Sequence, residues 1–117
     1  MSDLLWGLLK DTARVQGMLD EIRVTDAAGT TTPEKEREYR LRRAALAQRH
    51  LAAAADTGSD PVQAQEDAVR TAQLLWQHDV QHESSLGPIP PCSPVWGSRG
   101  LDEYVRQEAA AAGLATS

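Results

Sequence analysis

At 117 residues the chain has the length of one domain with a single modest core. Apolar residues make up 41% but aromatics only 4%, with no Phe, so much of the apolar content is alanine; a core of this kind is thin, and burial against a second subunit is one way to complete it. The net charge of −5 argues against binding nucleic acid or anionic lipid by bulk charge, and the single cysteine, Cys92, excludes an internal disulfide and fits a reducing compartment.

The apolar run from Leu4 to Leu9 is bracketed by Asp3, Lys10 and Asp11. It is too short for a secretory core or a membrane span, so the expected location is cytoplasmic, with no membrane partner. From Ser2 to about Val24 the sequence reads as a helix. Leu5, Leu8, Thr12, Val15, Leu19 and Ile22 recur at alternating spacings of three and four, a heptad-like seam lasting under three heptads. Trp6, Leu9 and Ala13 fall on a different face, and a helix apolar on two sides usually contacts more than one neighbour. Asp11, between Leu8 and Val15, either reaches an arginine of the second helix or marks the edge of the seam.

The segment 25–32, with Gly29 and three successive threonines, breaks the pattern. Thr32, Pro33 and Glu34 then form a strong helix start: a hydroxyl to cap orphan amides, a ring suited to the first turn, and acid against the positive helix end. The second helix is expected to run to about Asp56, stopped by Gly58. Leu41, Ala44, Ala45, Leu51, Ala52 and Ala55 make one apolar face, and Tyr39, Leu46 and Ala53 a second. Ser59 or Asp60 before Pro61 repeats the start signal and opens a third helix to about His82. Its apolar stripe reads as Val62, Val69, Ala72, Trp76 and Val80, joined by Ala68 and Leu75.

SSLGPIPPCSPVWGSRG, residues 84–100, holds four prolines and three glycines, a composition that reads as a long stiff loop. Ile89, Val95 and Trp96 are placed to pin it to the helices. A last short helix spans about 101–112, with Leu101, Tyr104, Val105 and Ala109 on one side, and Gly113 to Ser117 is expected to fray. No segment alternates apolar and polar residues in the manner of a strand. The fold class expected is all-α, a small three- to four-helix bundle in a single domain over 1–117, with helices near 3–24, 33–56, 61–82 and 101–112 and the proline-rich loop before the last helix.

Chemistry-bearing residues are few. His78 and His82 stand four apart on one helix edge, with Cys92 ten residues later; these are the residue types and the spacing of a zinc site. HDVQHE lacks a Glu after its first His, and no second Cys or carboxylate has motif spacing, so no metal and no cofactor are expected. EKEREYRLRRAALAQRH places six basic against three acidic residues. Arg40 and Arg43 are its candidates for nucleic-acid contact, although Glu36 to Arg40 and Glu38 to Arg42 pairing on a solvated face accounts for the charge. A helix-turn-helix reading of the second and third helices fails on Glu66 and Asp67, which would face phosphate where the recognition helix enters the groove. No activated thiol, nucleophile elbow or Gly-rich phosphate loop is present, so no enzyme is expected.

The segments RLRRAALAQRHLAAAAD, EDAVRTAQLLWQHD and GLDEYVRQEAAAA resemble those of small Ala- and Arg-rich helical proteins of high-GC actinobacteria. That resemblance implies an accessory role, in some cases alongside plasmids or integrative elements, and no catalytic activity. The function expected is thus a protein-interaction or regulatory accessory role, as a homo-oligomer or with a protein partner. Leu8, Val15, Leu19 and Ile22 are the expected contact surface, with Leu5 at its edge, unless that stripe is core. A nucleic-acid accessory role through Arg40 and Arg43 is the alternative.

Overall fold

The computed structural model describes residues 3–116, with side chains from Trp6 onward. Its helices are α1 (Asp3–Ala27), α2 (Pro33–Ala52), α3 (Ala54–Thr57), α4 (Pro61–His82), α5 (Val95–Arg99) and α6 (Leu101–Ala111). No strand occurs among the described residues, and the fold class is all-α.

The starts of α2 and α4 follow local chemistry. Thr32 is extended, and its hydroxyl accepts from the Lys35 amide while Pro33 fills the first turn. Asp60 does the same for α4, its carboxylate accepting the Val62 amide at 2.9 Å beside Pro61.

Four stretches depart from the sequence reading. Helix α1 continues past Val24 to Ala27, because the Thr25 hydroxyl bonds back to the carbonyls of Glu21 and Ile22 and so stays within the helix. The chain leaves α1 only at Gly29, whose φ of 72° lets the Thr30 amide reach the Thr25 carbonyl at 2.8 Å. The second helix does not run unbroken to Asp56. At Ala53 (φ −97°, ψ 3°) the ladder tightens, its amide bonding both Arg49 and Leu51, and the short α3 follows until Gly58 in left-handed conformation. Within 84–100, the stretch after the last proline is helical: Pro94 precedes α5, and Trp96 on α5 is buried. Finally, the chain end does not fray at Leu114. Gly113 (φ 73°) lets the Leu114 amide bond the Ala109 carbonyl at 2.8 Å, and Leu114 folds back onto the core.

Helix α2 is central, and its two apolar faces serve two neighbourhoods. Leu41, Ala44 and Ala45 pack with Ala72 and Leu75 of α4, Trp96 of α5, and Tyr104, Val105 and Ala109 of α6. Leu46, with Ala53, packs with Leu8 and Val15 of α1. Small side chains at Ala44, Ala45, Ala72 and Ala109 permit the close approach of α2, α4 and α6. Ala52 and Ala55 are exposed: Ala52 is the last residue of α2, and Ala55 lies beyond the break at Ala53. The inward stripe of α4 is also rotated from its expected position. Val62, Val69 and Val80 are exposed, whereas Ala68, Thr71, Ala72, Leu75, His78 and Asp79 are buried. Two of the polar members lie inside with partners: the Thr71 hydroxyl bonds the carbonyls of Asp67 and Ala68, and Asp79 lies in an ion cluster, whereas the buried Nε2 of His78 has no hydrogen-bond partner among the described residues.

The proline segment is tied to the helices by its backbone. The Trp76 indole donates to the Pro91 carbonyl at 2.7 Å and the Trp96 indole to the Pro90 carbonyl at 2.9 Å. Ile89 and Val95 pack against the same core.

Candidate functional site

Two carboxylates without solvent-accessible side-chain surface, Asp79 of α4 and Glu108 of α6, share the guanidinium of Arg37 on α2. Arg37 Nε and Nη2 donate to Asp79 at 2.8 and 2.9 Å, and Nη2 also donates to Glu108 at 2.7 Å. Tyr104 donates its hydroxyl to Asp79 Oδ2 at 2.5 Å, and Ser84 donates to Oδ1 at 3.1 Å. Glu108 further accepts the amides of Leu86 and Gly87 and the Gln107 side-chain amide, at 2.6, 2.9 and 2.8 Å. Burial opposes the charge on Arg37, yet its bond to Asp79 and the field of both carboxylates hold its pKa above the ordinary value. Burial and the bond to Asp79 both raise the Tyr104 phenol, which therefore stays protonated and donating.

Each of the four carboxylate oxygens thus accepts two hydrogen bonds. A carboxylate so saturated has no free lone pair with which to take a proton from a substrate. The cluster joins α2, α4, α6 and the chain after α4. A cleft of about 650 Å³ opens beside it, with Arg37, Leu41, His82, Leu86 and Leu114 in its walls. The cluster was missed from sequence, although a signal was present. Glu108 follows Tyr104 by four residues on the apolar side of α6, and Asp79 follows Leu75 by four on α4.

Arg40 and Arg43, the candidates for nucleic-acid contact in the alternative reading, are both bonded to groups of their own chain. Arg40 donates to the Leu74 carbonyl at 3.0 Å and to Glu36 at 2.7 Å. Arg43 grips Asp67 with two bonds of 2.9 and 2.7 Å, and Asp67 also accepts from Arg70 at 2.6 Å. Burial pushes the Asp67 carboxyl up, but Arg43 and Arg70 outweigh it and hold the group below the usual carboxylate range. Nearby, burial and the positive charges of Arg43 and Arg49 hold the His50 imidazole below its ordinary value, against a smaller opposing pull from Asp67.

Of the zinc-type residues, His78 and His82 come together but Cys92 does not join them. His78 is buried with Nδ1 3.5 Å from Asp79 Oδ1, and its ring stacks on that of His82 at 4.4 Å between centroids. Cys92 is exposed in the proline segment. Among the described residues no three His, Cys, Asp or Glu side chains are grouped as a metal ion would require.

On α1, Leu8 and Val15 are buried against α2, and Leu19 and Ile22 are half-buried; the side chain of Leu5 lies outside the described residues. The core alternative is thus the one realised at Leu8 and Val15, because the second apolar face of α2 needs cover and α1 supplies it. Asp11 forms an ion pair with Arg49 of α2, and the Arg49 guanidinium lies so close to Gly7 that a Cβ there would stand 3.2 Å from it. The opposite face of α1 points to solvent. Trp6 is 57% exposed, Leu9 47% and Val24 70%.

No protein family, curated protein or solved structure matches this chain. Its own surfaces carry the functional information. Among the described residues no helix is long and apolar enough to cross a membrane. On α1, Trp6, Leu9 and Val24 leave aromatic and aliphatic surface in contact with solvent.

Proposed function

We propose that the protein is a small helical interaction module, a regulatory or accessory component that binds another protein subunit and performs no chemistry of its own. The observation that carries this reading is the one-sided packing of α1. Its inner face is consumed by α2, while Trp6, Leu9 and Val24 stand in water on the outer side. Removing such surface from water is favourable by roughly 25 cal/mol per Å². The rest of the molecule supports the same reading, since the buried carboxylates are saturated by internal donors and Arg40 and Arg43 are bonded within the chain.

The test is a photo-reactive residue in place of Trp6, with Trp6→Glu as the companion variant. A covalent protein adduct from position 6, and loss of association in Trp6→Glu with unchanged helix content, are expected. A chain that sediments as a monomer and yields no adduct from position 6 refutes the reading.

A further inference from the structure

The outer face of α1 has a pattern that its exposure alone does not reveal. Trp6, Lys10, Ala13, Gly17, Asp20 and Val24 follow one another at spacings of four, three, four, three and four, and all six are exposed. At about 100° per residue they form one stripe, on the side of the helix away from Leu8, Val15 and Ile22. The stripe is self-complementary when reversed. About the position of Val15, Trp6 mirrors Val24, Lys10 mirrors Asp20, and Ala13 mirrors Gly17.

We propose that the protein forms a homodimer through this stripe, with α1 of two copies packed antiparallel about a two-fold axis at the level of Val15. The inference rests on reading α1 as an interaction face and names its occupant as a second copy of the chain. In an antiparallel pair, each residue meets the one that mirrors it. Ala13 and Gly17 meet at the centre, where small side chains let the helix axes approach closely. Lys10 meets the partner's Asp20 in the next layer out, twice by symmetry. Trp6 meets the partner's Val24 at each end, and Leu9 flanks Trp6. A parallel pairing would instead set Lys10 against Lys10 and Asp20 against Asp20, a like-charge arrangement that selects against it.

Within one chain these charges have no better use. Lys10 lies 5.9 Å from the centroid of the Trp6 ring and Asp20 accepts a 3.3 Å bond from Gln16, and neither forms an ion pair among the described residues. From Trp6 to Val24 the stripe is about 27 Å long at 1.5 Å per residue. Two such stripes bury on the order of 1,000 Å², the size of a reversible contact. The dimer is therefore concentration-dependent.

Sedimentation equilibrium of the full chain, together with two charge reversals, tests this. The unaltered protein self-associates to a dimer, with a blue shift of Trp6 emission as concentration rises. Lys10→Asp sets Asp against Asp and Asp20→Lys sets Lys against Lys, and each weakens dimerisation roughly tenfold or more. Combining both reversals in one chain restores it. Mixing the two single variants gives a heterodimer, because each now carries two charges of one sign against two of the other. Folding is not at issue, since both positions are exposed, and unchanged helix content in each variant verifies this.

A dimer indifferent to both reversals, or a double variant that is not restored, overturns the antiparallel pairing while leaving an interaction role intact. A monomer that still forms a position 6 adduct with a different protein also overturns the homodimer and leaves the broader reading standing. A monomer with no adduct ends both.

Discussion

Arg37 of α2 donates from both Nε and Nη2 to Asp79 of α4, forty-two residues away, and from Nη2 also to Glu108 of α6. One guanidinium therefore stands between two buried carboxylates on different helices. Removing it would leave Asp79 and Glu108, whose side chains have no solvent-accessible surface, without their cation. Arg37→Leu is expected to cost about 3–5 kcal/mol, the range for breaking a buried ion pair from one side. Urea denaturation followed by helix circular dichroism reads the loss, and a change below about 1 kcal/mol would mean that the carboxylates find other compensation.

Gly87 lies beneath Gln107, and a Cβ there would overlap the Gln107 side chain. That side chain bonds Ile89 in both directions, accepting its amide at 3.3 Å and donating to its carbonyl at 2.8 Å. Gly87→Ala should displace it and cost about 1–2 kcal/mol through the lost hydrogen bonds. In a Gln107→Ala background the same change should cost much less, since the obstacle and the bonds are already gone. Equal costs in both backgrounds would rule out this mechanism.

Stability should depend on pH through His50 and Asp67. The folded His50 takes up a proton less readily than its ordinary value near 6.5 allows. In that window the unfolded chain binds more protons, so stability is full above about pH 6.5 and falls as pH drops below it. Asp67, also held low, adds a further loss as pH falls through and below the carboxylate range. Urea midpoints measured at neutral pH and near pH 5.5 should differ less in His50→Gln than in the unaltered chain. An identical difference in both would remove His50 as a source.

Trp96 and Trp76 both anchor the proline segment, by different means. Trp96 is buried, meets Tyr104 edge-on at 5.1 Å and 78°, and donates to Pro90. Trp96→Ala should cost about 3–5 kcal/mol, as expected for emptying an aromatic core site. Trp76→Phe keeps most of the ring volume and loses mainly the bond to the Pro91 carbonyl, so about 1 kcal/mol is expected. Thermal melts of the two variants should rank in that order.

The two faces of α1 should respond oppositely to truncation. Leu8 is 2% exposed, and Leu8→Ala should cost about 2–5 kcal/mol. Trp6→Ala should stay within about 0.5 kcal/mol when measured on dilute, unassociated chain. A large loss from Trp6→Ala under those conditions would show that the outer face supports the fold itself.

What was legible in the sequence lay close along the chain. Thr32 with Pro33 and Asp60 with Pro61 mark the starts of α2 and α4, and Gly58 marks a stop, because capping, ring geometry and left-handed backbone involve residues within a few positions of each other. The heptad spacing of α1 and the two apolar faces of α2 were also visible as periodicity. Tertiary structure alone decided which periodic face went inside. Leu8 and Val15 were consumed by α2 while Trp6 and Val24 were left in water, and α4 buried His78 and Asp79 in preference to Val62 and Val80. Periodicity ranks residues by apolarity, but Asp79 and Glu108 became core residues through donors supplied by α2, α6 and the segment after α4. Arg40 and Arg43 likewise looked available until the carbonyl of Leu74 and the carboxylate of Asp67 were brought to them by folding. A charged side chain declares its chemistry in the sequence, but whether that chemistry is free depends on partners that only the packed chain assembles.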